Sequence, residues 1–154
     1  MSVYPDAIVP FVPTPFTVLP DAPGSYVWDA TVWDATLTAG KYAFSVYGPD
    51  GFLTSFAGQV VPAGQNGGQV PVVTAALRHR GTKTVELTLA NEGRRGIVYT
   101  LTPNDYEGRT ETVTVKAGGS SAISWPTDQY GYYDVVITAS AVDGFRRRYA
   151  GRIA

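Results

Sequence analysis

The segment DGFRRRYAGRI at residues 143–153 decides how the chain is interpreted, because DGFLTSFAGQV stands at residues 50–60. The two segments begin 93 positions apart (143 − 50), and the Gly-Phe pair, the later aromatic residue and the Ala-Gly pair recur in register. Gly58 and Gly151 close the shared pattern, and 151 − 58 again gives 93. Matches in a single register over this distance indicate a duplicated unit.

A period of this length exceeds the periods of about 20 to 50 residues that mark solenoids and propellers. Each copy should therefore be a small domain, and we predict two tandem modules. The first covers residues 1–61 and the second residues 70–154, and the linker PAGQNGGQ at 62–69 has little apolar content to bury. In each copy the glycine after Asp suits a turn at positive φ, and the following aromatic residues suit a module's last strand.

Composition points to an all-β fold. The 154 residues include 17 Gly, 11 Pro and ten Tyr, and 44% of them are hydrophobic, which is typical of a chain rich in strands and turns. In the second module, seven alternating apolar runs, separated mostly by turn signals such as Pro103-Asn104-Asp105, predict a seven-stranded immunoglobulin-like β-sandwich. Their apolar positions are Val73, Ala75, Leu77, Val85, Leu87, Leu89, Ile97, Tyr99, Leu101, Val113, Val115, Ile123, Trp125, Tyr133, Val135, Ile137 and Phe145.

The first module is predicted to be truncated or divergent. Six prolines between positions 5 and 23 argue against central strands there, because proline cannot donate to a β-ladder, and leave edge strands or an extended arm. Strands are predicted at residues 26–32 and 42–47, and a turn at 48–51 leads into the motif strand. Only about four strands are visible, so we favour an interpretation in which the sequence begins within this module.

Charge and composition exclude several classes of function. The net charge of −1 divides into −4 for residues 1–70 (one Lys, five Asp) and +3 for residues 71–154 (eleven Lys or Arg, eight acids). This excess is too small for a dedicated nucleic-acid binder. The absence of cysteine excludes disulfides and thiolate metal sites. No apolar run approaches the roughly 18 to 20 residues of a membrane span, and no signal peptide is predicted in this sequence.

Four segments carry a resemblance to a known family: YAFSVYGPDGFLTSFAG (42–58), TLANEGRRG (88–96), TVTVKAGGSSAISW (112–125) and GYYDVVITASAVDGFRRRYAG (131–151). They resemble the paired C-terminal domains of secreted bacterial phospholipases C of the phosphocholine-preferring, non-haemolytic type. The resemblance covers the second module nearly whole and roughly the latter half of the first. In the first copy, Thr54 and Ser55 stand where that family usually carries basic residues.

The resemblance implies a tandem of small β domains that follows a phosphatase-like catalytic domain, whose metal-ligating residues have no counterpart in this sequence. It implies a non-catalytic accessory region, secreted or at the cell surface, that stabilises the enzyme or helps it approach phosphocholine lipid. The implied partners are the catalytic domain of a phospholipase C and phospholipid headgroups or a membrane surface, without a cofactor. Exposed Trp and Tyr on a sandwich leave open a carbohydrate-binding or cell-surface adhesive module.

Arg146, Arg147 and Arg148 form the sharpest constellation of candidate binding residues. In a regular strand Arg146 and Arg148 share one face. Arg147 lies on the face of the flanking aromatic residues, so it requires a carboxylate partner, a bulge or an interface with the neighbouring module. Guanidinium groups recognise phosphate with a planar fork, which makes Arg146 and Arg148 candidates for lipid binding or an interface. The simpler alternative is that they form salt bridges within the module or to a catalytic domain.

Aromatic residues supply the other candidates. Trp125 and Tyr133 fit the sandwich core by their place in the alternation. Tyr130 and Tyr132 are less constrained, and they join Arg146 and Arg148 as candidates for contact with lipid.

No residue is predicted to be catalytic or to bind a metal. His79 is the only histidine and lies between two arginines, without a nucleophile-base-acid order or metal spacing around it. Asp29 with Asp34, and Asp105 with Glu107, are acidic pairs that lack calcium-loop spacing and are interpreted as surface carboxylates. A freestanding small hydrolase is therefore disfavoured.

Overall fold

The computed structural model describes residues 1–6, 14–15, 41–49, 51–59, 68–78, 83–140 and 145–153. Within these ranges every regular element is a β-strand, which confirms the predicted all-β class. The strands are β1 (Ser2–Pro5), β2 (Thr14–Pro15), β3 (Lys41–Tyr47), β4 (Leu53–Gln59), β5 (Pro71–Arg78), β6 (Thr84–Asn91), β7 (Ile97–Asp105), β8 (Glu111–Val115), β9 (Ser120–Pro126), β10 (Tyr132–Ala139) and β11 (Arg146–Arg152).

The strands form two antiparallel sheets, with the orders β2-β1-β3-β4-β11-β10-β7-β8 and β5-β6-β9. Inward-facing side chains of both sheets make one hydrophobic core. Two tyrosine hydroxyls join the sheets: Tyr99 Oη accepts from the Val72 N–H at 3.1 Å, and Tyr149 Oη donates to the Val73 carbonyl at 3.0 Å. The predicted β-sandwich is confirmed, while its immunoglobulin-like character and the module boundaries stay predictions.

Strands β5 to β11 coincide with the seven predicted alternating runs. Trp125 and Tyr133 lie in the core as predicted, with 1% and 3% of their surface exposed. Two details differ from expectation. Leu77 is 43% exposed, because β5 is an edge strand of the smaller sheet. The turn predicted at residues 103–105 lies inside β7, because the strand absorbs an extra residue through a β-bulge opposite Asp134 and continues.

The proline-rich N-terminal segment contributes short strands at one edge of the larger sheet. β2 has two residues and forms the edge, and β1 lies between it and β3. Among the described residues of this segment, both short strands lie at the sheet edge, as the prolines predicted. In β3, Phe44 stacks on Phe56 of β4 at a centroid distance of 4.9 Å, as expected for an aromatic face. The strand predicted over residues 26–32 lies outside the described residues.

The two motif strands lie side by side at the centre of the larger sheet. β4 and β11 are the second strands of the hairpins β3–β4 and β10–β11, and they pair with each other in antiparallel fashion. Ser55 lies opposite Arg148, and these positions are equivalent under the 93-residue offset (148 − 55). The other pairs are Arg146–Ala57, Arg147–Phe56, Tyr149–Thr54 and Ala150–Leu53. If each residue is replaced by its equivalent in the other copy, every pair becomes another pair of the same set; Arg146–Ala57, for example, becomes Leu53–Ala150. An approximate twofold axis therefore passes between Ser55 and Arg148, as in an isologous interface.

Each hairpin repeats a contact between a tyrosine and the glycine that ends the motif. Tyr42 lies opposite Gly58, and Tyr133 lies opposite Gly151. A Cβ atom added at Gly58 would lie 2.7 Å from Tyr42 Oη, and one added at Gly151 would lie 3.0 Å from Tyr133 Oη. Glycine leaves room for the tyrosine ring at these positions, which explains the shared Ala-Gly ending.

Candidate functional site

A cleft of about 320 Å³ opens where the turn between β3 and β4 meets the β10–β11 hairpin and the residues after β7. Its volume lies at the lower end of the range for small-molecule sites. Both copies of the repeat contribute side chains: Tyr47 and Phe52 come from the first, and Tyr106, Tyr132 and Arg148 come from the second. We call this feature the seam cleft, because it depends on the pairing of the two hairpins.

A bidentate ion pair lines the seam cleft. Arg148 Nε donates to Asp134 Oδ1 at 2.8 Å, and Arg148 Nη2 donates to Asp134 Oδ2 at 2.6 Å. Asp134 is only 4% exposed, so its carboxylate depends on these partners. The hydrogen bond to Asp134 raises the pKa of Arg148, against the opposing effect of burial. The guanidinium is therefore charged throughout the ordinary pH range.

The β-bulge in β7 supplies a third member of this network. Asp105 pairs with Asp134 and Pro103 pairs with Val135, so Asn104 is the extra residue without a partner across the ladder. Bulges re-aim side chains in this way, and Asn104 Nδ2 donates to Asp134 Oδ2 at 2.9 Å. The bulge thus orients an amide toward the buried carboxylate.

Tyr106 and Tyr132 form one aromatic wall of the seam cleft. Their rings are stacked with centroids 5.4 Å apart and planes 21° apart. Tyr106 has φ 63°, and it is the one non-glycine residue in the left-handed region within the described part of the chain. That conformation is unfavourable for a bulky side chain, and Asp105 Oδ1 holds it by accepting from the Tyr106 N–H at 2.8 Å. Backbone strain of this kind concentrates at functional sites.

Tyr47 lines the cleft from the first copy and remains 46% exposed. Its ring meets Tyr4 edge to face at 5.2 Å. The ring of Tyr132, another lining residue, has the Arg152 guanidinium 5.3 Å from its centroid. The cleft is therefore surrounded by aromatic rings, with a charged pair inside it.

The four residues predicted as lipid or interface candidates have different positions. Arg148 and Tyr132 line the seam cleft. Arg146 is exposed on the same face of β11 as Arg148, as predicted. Tyr130 is 61% exposed in the turn before β10 and does not line the cleft. Their binding of lipid stays a proposal.

Arg147 satisfies one of its predicted requirements: it lies at the interface with the first copy. Its Nη1 donates to the Ala57 carbonyl and its Nη2 to Tyr42 Oη, both at 3.0 Å. The guanidinium carbon lies 4.4 Å from the Phe145 ring centroid and 5.2 Å from that of Phe56. β11 has no register shift against β4 or β10. Arg147 therefore joins the two copies through aromatic rings and polar oxygens.

Four members of the site were not predicted from the sequence: Tyr47, Tyr106, Asn104 and Asp134. They come from separate elements, and Asp134 stands at the start of an apolar run, where alternation alone gave it no special role. The Pro-Asn-Asp segment was a visible signal, but it was interpreted as a turn.

The predicted acidic and histidine candidates give no metal site within the described residues. Asp105 is exposed and accepts from the following N–H, and Glu107 is exposed. Searching the described part of the chain for three or more clustered His, Cys, Asp or Glu side chains finds none. His79, Asp29 and Asp34 lie outside the described residues. In the same described ranges, no helix has the length and apolarity to cross a membrane.

The fold and the cleft define an all-β sandwich protein with a tyrosine-lined cleft between the two copies of its repeat. Comparison with known proteins gives its family: the family described as "Bacterial phospholipase C, C-terminal domain" matches residues 1–59 and 69–152. The chain belongs to this family, as the resemblance predicted. The two matched stretches each contain one copy of the hairpin and its motif strand.

Individual relatives agree with the family. The chain is similar to a "Non-hemolytic phospholipase C" of Burkholderia pseudomallei strain K96243, with 30% identity over 86% of this chain and 20% of that protein. It is also similar to the "Hemolytic phospholipase C" of Pseudomonas aeruginosa PAO1, with 33% identity over 74% of this chain and 16% of that protein. The chain thus spans about a fifth of the length of these relatives.

Proposed function

We propose that the chain is a non-catalytic accessory region of a secreted bacterial phospholipase C, which stabilises the enzyme or helps it approach phosphocholine lipid. The match of the family's C-terminal domain over both copies of the repeat carries this proposal. The catalytic domain of the phospholipase C is the proposed partner. The proposed division of the chain is a first module at 1–61, a linker at 62–69 and a second module at 70–154.

The arrangement of charged and aromatic side chains supports the lipid-related part of the proposal. Arg146 is exposed on β11, and Tyr130 is exposed in the adjoining turn. Arg152 lies over the ring of Tyr132. Tyrosine suits the boundary between water and lipid because its ring is apolar and its hydroxyl polar, and the guanidinium of arginine can bind the phosphate oxygens of a headgroup.

The proposed role as a stabiliser rests on the central sheet. The pairing of β4 with β11 joins the two copies into one sheet, and Arg147 bonds across the join. A joined pair of small β units buries more surface than either unit alone, and small domains need this support.

The test uses a phospholipase C that carries this region after its catalytic domain, together with a version that lacks the region. Hydrolysis of a soluble phosphocholine ester, hydrolysis of phosphatidylcholine vesicles and thermal midpoints are measured for both. Deletion is expected to lower the thermal midpoint, or to lower the activity on vesicles more than the activity on the soluble ester. The purified chain alone should hydrolyse neither substrate. Identical values for the two enzymes in all three measurements, or hydrolysis by the chain alone, would contradict the proposal.

A carbohydrate-binding or cell-surface adhesive module is the second candidate. The stacked Tyr106–Tyr132 pair beside Asp134 and Asn104 favours it, because sugar rings stack on aromatic faces and bond to carboxylates and amides. Binding on a glycan array that is lost with Tyr106→Asn would support this candidate over the first.

A further inference from the structure

We propose that the seam cleft binds a small zwitterion, a molecule that carries an alkylated ammonium group and an anionic phosphate or carboxylate joined by a short linker. The ammonium group lies among the tyrosine rings, and the anionic group bonds to Arg148. The proposal rests on the proposed function only for the source of the ligand, a lipid headgroup, and the cleft itself is argued from its side chains.

Arg148 has donors to spare. A guanidinium carries five N–H groups, and Asp134 takes one from Nε and one from Nη2. Because Arg148 also lines the cleft, its other N–H groups are available to oxygen atoms of a ligand there. Arginine binds phosphate and carboxylate oxygens through such forked contacts.

The balance of charge then selects a zwitterion over a simple anion. The charged groups at and beside the cleft balance, because Arg148 and Arg152 are matched by Asp134 and Asp105, so an anion bound to Arg148 leaves one uncompensated negative charge there. An alkylated ammonium group on the same ligand restores neutrality, and aromatic rings attract such cations through their π-systems. Tyr47 from the first copy and Tyr106 and Tyr132 from the second supply rings that line the cleft.

The wall of the cleft is built before any ligand arrives. Tyr106 stays in the left-handed backbone region and 49% exposed, and the Asp105 carboxylate holds this conformation by accepting from the Tyr106 N–H. Its ring is fixed by stacking on Tyr132. Preorganised aromatic side chains lower the entropy lost on binding, which gives this strained conformation a use.

The site also requires both copies of the repeat. Tyr47 and Phe52 belong to the first hairpin, whereas Arg148 and the stacked tyrosines belong to the second half of the chain. Pairing of β4 with β11 is what brings them to one cleft. The duplication therefore creates a recognition site that neither copy has alone.

The experiment titrates the whole purified chain with phosphocholine and with glycine betaine by calorimetry, with choline, inorganic phosphate and glucose as comparison probes. Saturable binding of the zwitterions, tighter than that of choline or phosphate, is expected. Tyr106→Asn tolerates the left-handed backbone but lacks the ring, so it should weaken binding by about tenfold or more. Tyr106→Phe keeps the ring and should bind like the unmodified chain.

A matched control removes a similarly exposed apolar side chain far from the cleft. Leu77→Asn on β5, where Leu77 is 43% exposed, should leave binding unchanged, and thermal melting checks that every variant is folded. Binding of neither zwitterion, equal weakening by Leu77→Asn, or binding of glucose in place of the zwitterions would overturn the proposal.

Vesicles distinguish the source of the ligand. Phosphatidylcholine vesicles should bind the chain and be displaced by soluble phosphocholine, and Tyr106→Asn should reduce both forms of binding. If soluble zwitterions bind while vesicles do not, the site takes the free compound, and only the lipid-approach part of the proposed function fails. If vesicles bind and Tyr106→Asn has no effect, the seam cleft is not the site, and the proposed function stands.

Discussion

Ser55 and Arg148 occupy equivalent positions in the two copies of the repeat and lie directly opposite each other on β4 and β11. A residue on the twofold position of such a pair faces its own equivalent. If both copies carried arginine there, two like charges would lie side by side, which destabilises a sheet. Ser55 places a neutral side chain opposite Arg148 and avoids this conflict.

Ser55→Arg is expected to destabilise the chain for that reason. Ser55 is 9% exposed and accepts a hydrogen bond from Ser45 Oγ at 3.1 Å, so the substitution adds both volume and an unpaired charge beside Arg148. The free energy of unfolding should fall by about 2 kcal/mol or more, measured by urea denaturation. Ser55→Thr, which keeps the hydroxyl, is the control, and equal stability of the two variants would contradict the twofold description.

Arg147 should contribute more to stability than its exposed neighbour Arg146. Arg147→Ala removes the hydrogen bonds to Ala57 and Tyr42 and the contacts with the aromatic rings. A loss of about 2 to 3 kcal/mol is expected in denaturant unfolding. Arg147→Lys should recover only part of it, because an ammonium lacks the planar fork. Arg146→Ala, at an exposed position of the same strand, should change stability by less than about 0.5 kcal/mol.

Alanine in place of the glycine that ends either motif should be costly. Gly58→Ala and Gly151→Ala bring a methyl group against Tyr42 and Tyr133, and each should lower the free energy of unfolding by about 1 to 3 kcal/mol. Gly96→Ala is the control, because an added Cβ there would have its nearest contact at an ordinary 3.7 Å. In a Tyr42→Ala background the cost of Gly58→Ala should shrink, and an unchanged cost would show that the tyrosine is not its cause.

Stability should fall in alkaline solution as the core tyrosines ionise. Burial raises the pKa of Tyr99 from 10.0 to about 12, and also raises the pKa values of Tyr133 and Tyr149. The folded state therefore holds these protons after the unfolded chain has released them. Stability is fully present below pH 10 and is lost as pH rises from about 10 to about 12.

Tyr99→Phe tests the assignment of this pH dependence. The variant removes one titrating group, so its unfolding free energy should decline less steeply between about pH 10 and pH 12. It should also be less stable at neutral pH, because the Val72 N–H and the Ala90 carbonyl lose their hydroxyl partner. A pH profile parallel to that of the unmodified chain would assign the alkaline loss to other groups.

The strands could be predicted from the sequence because a strand buried on one face has an apolar residue at every second position, as in residues 85–89 and 133–137. The repeat likewise predicted the two motif strands. The pairing of these two strands with each other could not be predicted. The similarity between the two copies shows that their strands are equivalent, but it does not show which strand of one copy pairs with which strand of the other. Arg147 was the one sequence feature that pointed toward this contact, because its place on the face of the aromatic residues required a partner, a bulge or an interface.

The candidate site was predictable only in part. Arg148 and Tyr132 were found from their residue types, since guanidinium and phenol groups are common in binding sites. Tyr47, Tyr106 and Asp134 become neighbours of these two only through the tertiary fold. The bulge at Asn104 escaped detection because a Pro-Asn-Asp segment has the composition of a turn, and only pairing with β10 shows that the strand continues.

Disulfide trapping tests the central pairing of β4 with β11 most directly, because the chain has no cysteine of its own. Ala57 and Arg146 lie directly opposite each other, and opposed Cα atoms about 4.5 to 5.5 Å apart are within disulfide range. Ala57→Cys with Arg146→Cys should form an intramolecular disulfide on mild oxidation. Gln59→Cys with Arg146→Cys, two positions out of register, should not. Rapid cross-linking of the second pair, or only intermolecular disulfides from the first, would contradict the account.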